Sequence, residues 1–193
     1  TAYEMLRSLV GSEMCIRDRV DTAFSGDSFV IVDAEGLGFK LLPEEAHHIV
    51  ELGLRITKAA NDQLGFQHPL QPDWKHISFC QIAGPLYQDG KNLSGLNAVV
   101  IQPGKIDRLP CGSGLCARMA VLHAKGQMQI GDKLISRLVI NSPVEGEIVK
   151  PTKVREINAI LPTVSGQGWM IGTHQHTLDS TDPWPEGYRI SYT

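Results

Sequence analysis

Asp107-Arg-Leu-Pro-Cys111-Gly-Ser-Gly114-Leu-Cys-Ala-Arg-Met-Ala-Val-Leu-His123 reads as a tight turn running straight into a helix. Pro110 disfavours helix at Leu109, Gly112 and Gly114 let the backbone turn sharply, and the Ala-rich run behind them is good helix. The pattern predicts a helix from about Ser113 to Gln127, with Cys111 just ahead of it. The first N–H groups of such a helix have no intrahelical partner. Together with the positive end of the dipole they make a seat for a carboxylate or phosphate. The same field stabilises a thiolate, so Cys111 is a candidate base or nucleophile. A thiol beside a carboxylate seat suits chemistry on the α-carbon of a small acid. A blander alternative stays open: Cys111 as a small buried hydrophobe, and the glycines as no more than a helix start. Cys116, inside the helix near Ala117 and Ala120, reads as a packed, inert thiol.

Working outward, Ser28-Phe-Val-Ile-Val-Asp33 is a short β-branched run bounded by Ser25-Gly-Asp27 and Glu35-Gly36, which predicts a buried strand. Pro43-Glu-Glu-Ala opens a second helix, with proline in the first turn and acids near the positive pole. Its apolar stripe, Ile49 to Ala60, is core, and His47 and His48 read as surface or boundary residues. Strands are expected at 76–83 and 97–102, joined by the polar turn Gln88-Asp-Gly-Lys-Asn. Further short strands are expected at 134–140, 145–149, 156–161, 168–171 and 174–178. A turn-rich tail, Asp182-Pro-Trp-Pro-Glu-Gly-Tyr188, ends in an extended stretch reaching Tyr192. The pattern is α+β, rich in strands, with two principal helices.

Composition bounds the function. The chain has 193 residues, 42% hydrophobic and 20% charged, which fits a globular domain and excludes collagen-like or disordered classes. Lys+Arg 18 against Asp+Glu 21 gives net −3 with no basic block, so no nucleic-acid partner is expected. No run of 18 apolar residues exists, and no membrane partner is expected. The four cysteines, Cys15, Cys80, Cys111 and Cys116, form no Cys-x-x-Cys pair and are too sparse for a disulfide scaffold. Free thiols in a reducing cytoplasm are the expectation.

Residues 1–20 have mixed charge and no sustained period. Glu13, Arg17, Asp18 and Arg19 interrupt any signal-like apolar region, and SLVGSEMCIRDR resembles a translated sequencing adaptor joined to a gene fragment. This segment is expected to be non-native and is set aside, Cys15 with it.

Asp107-Arg-Leu-Pro-Cys-Gly-Ser-Gly114 closely resembles the second cysteine motif, Asp-Arg-Ser-Pro-Cys-Gly-Thr-Gly, of the proline racemase and 4-hydroxyproline 2-epimerase family. Ser25-Gly-Asp-Ser-Phe-Val-Ile-Val-Asp-Ala34, Ala117-Arg-Met-Ala-Val-Leu-His-Ala-Lys-Gly126, Ser165-Gly-Gln-Gly-Trp-Met-Ile-Gly-Thr-His174 and Asp182–Tyr188 are similar to other family stretches in the same order. The resemblance covers residues 21–193. It implies a diaminopimelate-epimerase-like lobe: a curled, mainly antiparallel sheet around a central helix. Residues 21–165 would be the C-terminal catalytic lobe, and 166–193 a tail crossing back toward an N-terminal lobe missing from this chain.

The resemblance further implies cofactor-independent epimerisation at the α-carbon of hydroxyproline or proline. Two cysteines, one from each lobe, act as acid and base on opposite faces, because one base on one face tends to return the proton where it came from. Cys111 would be one of them, Asp107 would contact the ring nitrogen, and the backbone at Gly112 and Ser113 would hold the carboxylate. No metal is implied. The opposing cysteine belongs to a Cys-Gly-His motif that Cys15 and Cys80 do not match, so this chain alone is expected to be inactive. A homodimer is a possible assembly.

Leu109, Ser113, Asp27 and the stretch Leu138–Val144 depart from the family pattern, and they bear on substrate preference. Rival readings remain. The family's trans-3-hydroxyproline dehydratases typically carry Thr at the position of Cys111, so cysteine there argues for epimerisation. A thiol nucleophile of the peroxidase or protease kind lacks a partnering His/Asn pattern. A non-catalytic carboxylate-binding fragment would need only the seat. His174 and His176, with Asp179 nearby, share a face of a predicted strand but lack a fixed third ligand. Trp169, Trp184 and Tyr188 read as packing residues.

Overall fold

A computed structural model describes residues 2–5, 20–38, 40–109 and 111–190. Residues 1 and 6–19 of the set-aside segment, Cys15 included, lie outside the described residues, as do Pro110 and Tyr192. In chain order the elements are β1 (Ala2–Met5), β2 (Val20–Phe24), β3 (Ser28–Asp33), α1 (Ala46–Gln63), β4 (Phe79–Asp89), β5 (Asn92–Ile101), β6 (Lys105–Ile106), α2 (Gly112–Ala124), β7 (Lys133–Leu138), β8 (Pro143–Val154) and β9 (Ile157–Ser165).

The strands form one sheet in the order β1-β2-β3-β4-β5-β7-β8-β9, with β6 attached to β5. Two neighbouring pairs, β3 with β4 and β5 with β7, are parallel; the rest are antiparallel. Parallel neighbours need a crossover, and each parallel pair here is bridged by one helix, α1 for the first and α2 for the second. The helices lie on opposite faces. Ile49, Ile56 and Ala60 of α1 pack with Val30, Val32, Cys80, Ile82, Ala98 and Val100. Ala117 and Val121 of α2 pack with Phe29, Ile31, Ala83 and Val99. Successive residues of β3 and β4 therefore alternate between two cores, which is why Ser28–Asp33 is an unbroken apolar run.

The other flank of α2, Leu115, Met119 and Leu122, packs with Leu134, Met128 and Ile148. Elements from both ends of the strand order, β1 and β2 at one and β8 and β9 at the other, touch α2. The sheet is thus curled around that helix, the α+β arrangement expected from the sequence. Close approach fixes the layers: a Cβ on Gly146 of β8 would lie 2.6 Å from the Met119 Cε, and one on Gly53 of α1 would lie 2.6 Å from a Val100 methyl.

Several boundaries differ from expectation. The helix expected at Pro43 begins as a 3-10 turn, Pro43–Glu45, and becomes α-helical at Ala46. Strand 145–149 extends to twelve residues because it forms a long hairpin with β9. β2 was not expected, and it begins inside the set-aside segment. The strands expected at 168–171 and 174–178 do not form: those residues carry no strand pairing and are exposed.

Candidate functional site

Cys111 is the N-cap of α2, with extended backbone (φ −65°, ψ 111°). Its carbonyl accepts the first helical bond, from the Leu115 N–H at 2.8 Å. Its sulfur accepts from the Gly114 N–H at 3.3 Å and lies 3.3 Å from the Ser113 hydroxyl. Glycine at 114 makes this fit: a Cβ there would stand 3.3 Å from the Cys111 Cβ, 3.4 Å from its sulfur and 3.4 Å from a Val99 methyl. Cys111 is half-buried against the core between α2 and the sheet.

The N–H groups of Gly112 and Ser113 have no acceptor among the described residues. They are the two free donors at the positive end of a 13-residue helix, beside a half-exposed thiol. Asp107 is half-buried just beyond β6, and its N–H donates to the Val99 carbonyl at 2.9 Å. Since the Val99 side chain also borders Gly114, strand β5 holds both the Asp107 turn and the start of α2. The four residues singled out, Asp107, Cys111, Gly112 and Ser113, therefore gather at one end of β5, with Leu109 exposed on the turn between them.

Cys116 packs against the cluster of Leu115, Met119 and Leu122, as the packed thiol expected of it. It is half-buried, and the Ser25 side chain in the β2–β3 turn and the neighbouring Cys111 both act on its thiol. Burial is the dominant influence and pushes its thiol up. Helical periodicity alone could not reveal the Ser25 contact, which depends on the sheet curling over α2. Cys80 is fully buried on the α1 side, and burial drives its thiol far above the ordinary range. Cys80 is out of reach of solvent, and Cys116, half-buried like Cys111, lies within the helix and not at its start.

The remaining candidates do not assemble. His174 and His176 are exposed and stack on each other at 6.4 Å. The Asp179 carboxylate is held below its usual range by the backbone N–H and hydroxyl of Thr181. No group of three metal-ligating side chains occurs among the described residues. Trp184 and Tyr188 pack on each other, at 4.7 Å, rather than on the body, and Trp169 is exposed. Asp27, one of the departures noted above, accepts from the Ser28 N–H within its own turn.

A model of the family described as proline racemase matches residues 13–189. Among solved structures, the chain is similar to a hydroxyproline epimerase from Agrobacterium vitis with bound trans-4-hydroxy-L-proline. That likeness has a TM-score of 0.79 and 29% identity, over 98% of this chain and 53% of that one. It is also similar to a probable proline racemase from Agrobacterium radiobacter K84 with bound carbonate, with a TM-score of 0.76 and 28% identity, over 98% of this chain and 55% of that one. The chain spans about half the length of these two proteins. The likeness is thus one of sequence as well as shape, and the chain belongs to the proline racemase family.

Proposed function

We propose that this chain supplies one half of a two-thiol epimerase acting at the α-carbon of hydroxyproline or proline. The observation that carries the reading is the half-exposed Cys111 sulfur beside the unpaired N–H groups of Gly112 and Ser113. In this reading the substrate carboxylate sits on those two N–H groups, and Asp107 receives the ring nitrogen. The α-carbon then stands over the Cys111 sulfur. As thiolate, Cys111 takes the α-proton and becomes a thiol. A second thiol on the opposite face, from the lobe this chain does not include, delivers its own proton and is left as thiolate. Charge that builds on the carboxylate during the exchange is stabilised by the helix N–H groups. No cofactor enters these steps. The exposed tail, residues 166–193, would cross to that second lobe, and residues 1–20 would be foreign to the active protein.

The test uses the pure chain. Pyrrole-2-carboxylate, a planar carboxylate, should protect Cys111 from iodoacetamide. Trans-4-hydroxy-L-proline should gain no 2-epimer and no α-deuterium in heavy water. Unprotected alkylation of Cys111 would remove the carboxylate seat, and epimerisation by the chain alone would remove the need for a second lobe. Formation of a pyrroline product from trans-3-hydroxyproline would favour dehydration instead.

A further inference from the structure

Arg118 is 4% exposed, an unusual place for a charge whose burial costs several kcal/mol unless it is well paired. It lies on α2 seven residues, about 10 Å of helix, beyond Cys111. Its guanidinium meets an irregularity in the sheet. Between β4 and β5 the register runs Ala83 with Asn97 and then Leu86 with Gly95, so Gly84 and Pro85 together face Leu96. Such a bulge breaks the ladder locally, and Pro85 has no N–H to offer. The two carbonyls at the break are the ones Arg118 takes up, Nη2 donating to Gly84 at 2.5 Å and Nη1 to Leu96 at 3.2 Å. Gly95 leaves the room: a Cβ there would stand 3.1 and 3.2 Å from the two guanidinium nitrogens. Asp33 supplies an opposing charge. Burial pulls the Arg118 group down to about 10, which leaves it charged near neutral pH.

The rest of the α2 face toward this part of the sheet is smooth. Gly114, Ala117 and Val121 offer little relief against Val99 and Ala83, so this face adds little directional packing to what Met119 against Gly146 and Lys125 with Asp21 supply elsewhere on the helix and at its end. Hydrogen bonds to carbonyls are directional, and one of the two from Arg118 reaches Leu96, in the middle of the same strand that carries Val99 beneath Gly114. We infer that Arg118 is a positioning residue, whose clamp on the β4–β5 bulge sets where the Cys111 sulfur and the N–H groups of Gly112 and Ser113 stand. A displacement of about 1 Å at a reacting group is enough to cost about a hundredfold in rate.

The inference bears on the site of the proposed function, but its readout needs no ligand. In the 193-residue chain, the rate of Cys111 alkylation by iodoacetamide at fixed pH is followed by tandem mass spectrometry, which separates Cys111 from Cys116. Circular dichroism confirms folding. Arg118→Met should slow Cys111 alkylation about fivefold, as expected when the sulfur loses alignment with the helix N-terminus. Arg118→Lys should recover part of the effect. Gly95→Ala keeps the arginine and crowds its guanidinium, together with the Leu86 side chain, so it should slow alkylation in the same direction. It decides the matter if Arg118→Met does not fold. A folded Arg118→Met or Gly95→Ala chain with the parent rate, or an Arg118→Lys chain no faster than Arg118→Met, would reduce Arg118 to a structural plug of the bulge. Failure of pyrrole-2-carboxylate to protect the parent chain would count against the proposed function and leave this comparison intact.

Discussion

The backbone N–H of Gly114 donates to the sulfur of Cys111 across 3.3 Å. One contact thereby serves two purposes. It satisfies a helix donor that would otherwise lack a partner, and it aims a partial positive charge at the sulfur. Serine, threonine, aspartate and asparagine are the usual residues at an N-cap. A cysteine there is a weaker cap, so its occurrence at the start of the central helix favours a chemical role over a purely structural one.

Cys111→Ala should therefore lower the unfolding free energy by about 1 kcal/mol, the ordinary loss for removing a cap. Cys111→Ser restores an oxygen acceptor and should be at least as stable as the parent. Urea unfolding of the three chains measures both differences. Equal stability of Cys111→Ala and the parent would mean that the sulfur does not cap the helix.

The parts of this fold that could be read from sequence were those with local causes. Pro110, the glycines and the Ala run specify a helix start within a few residues, and Ser28–Asp33 has the unbroken apolarity of a strand buried on both faces. Non-local features were harder. β2 has only five residues, two of them the polar Asp21 and Thr22, yet both are buried, Asp21 in an ion pair with Lys125 just after α2. Trp169–Ile171 and His174–Leu178 have strand-like composition, yet strand formation needs a neighbour, and none is paired with them here. Arg118 in an Ala-rich helix reads as a solvated charge until the β4–β5 bulge is known. Asp107, Cys111, Gly112 and Ser113 were legible as a group because they share one turn.

Gln81 has the least satisfied polar side chain in the core. It is 0% exposed, lies on the α2 face of β4 between Ile31 and Val99, and neither carboxamide atom has a hydrogen-bond partner among the described residues. An unpaired buried amide costs about 1–3 kcal/mol, and leucine has a similar volume without that cost. Gln81→Leu should raise stability by about 1 kcal/mol and Tm by about 2–4 °C. A thermal melt decides it. A lower Tm would mean that the carboxamide is bonded, most simply to an enclosed water.

The tail makes the opposite kind of prediction. Every described residue beyond Ser165 is exposed, including Trp169, Met170, Leu178 and Ile190, with Ile171 at 100%. Its side chains pack mainly with each other, as Trp184 does with Tyr188. A segment with so little burial contributes little to folding stability. Its row of apolar side chains is the kind of surface that binds another protein surface or drives association. Truncation after Ser165 should therefore change the unfolding free energy by less than about 0.5 kcal/mol, while light scattering of the concentrated chain falls. If truncation lowers stability by several times that amount, the tail packs on the curled sheet in solution. If scattering is unchanged, the exposed apolar residues are not what makes copies associate.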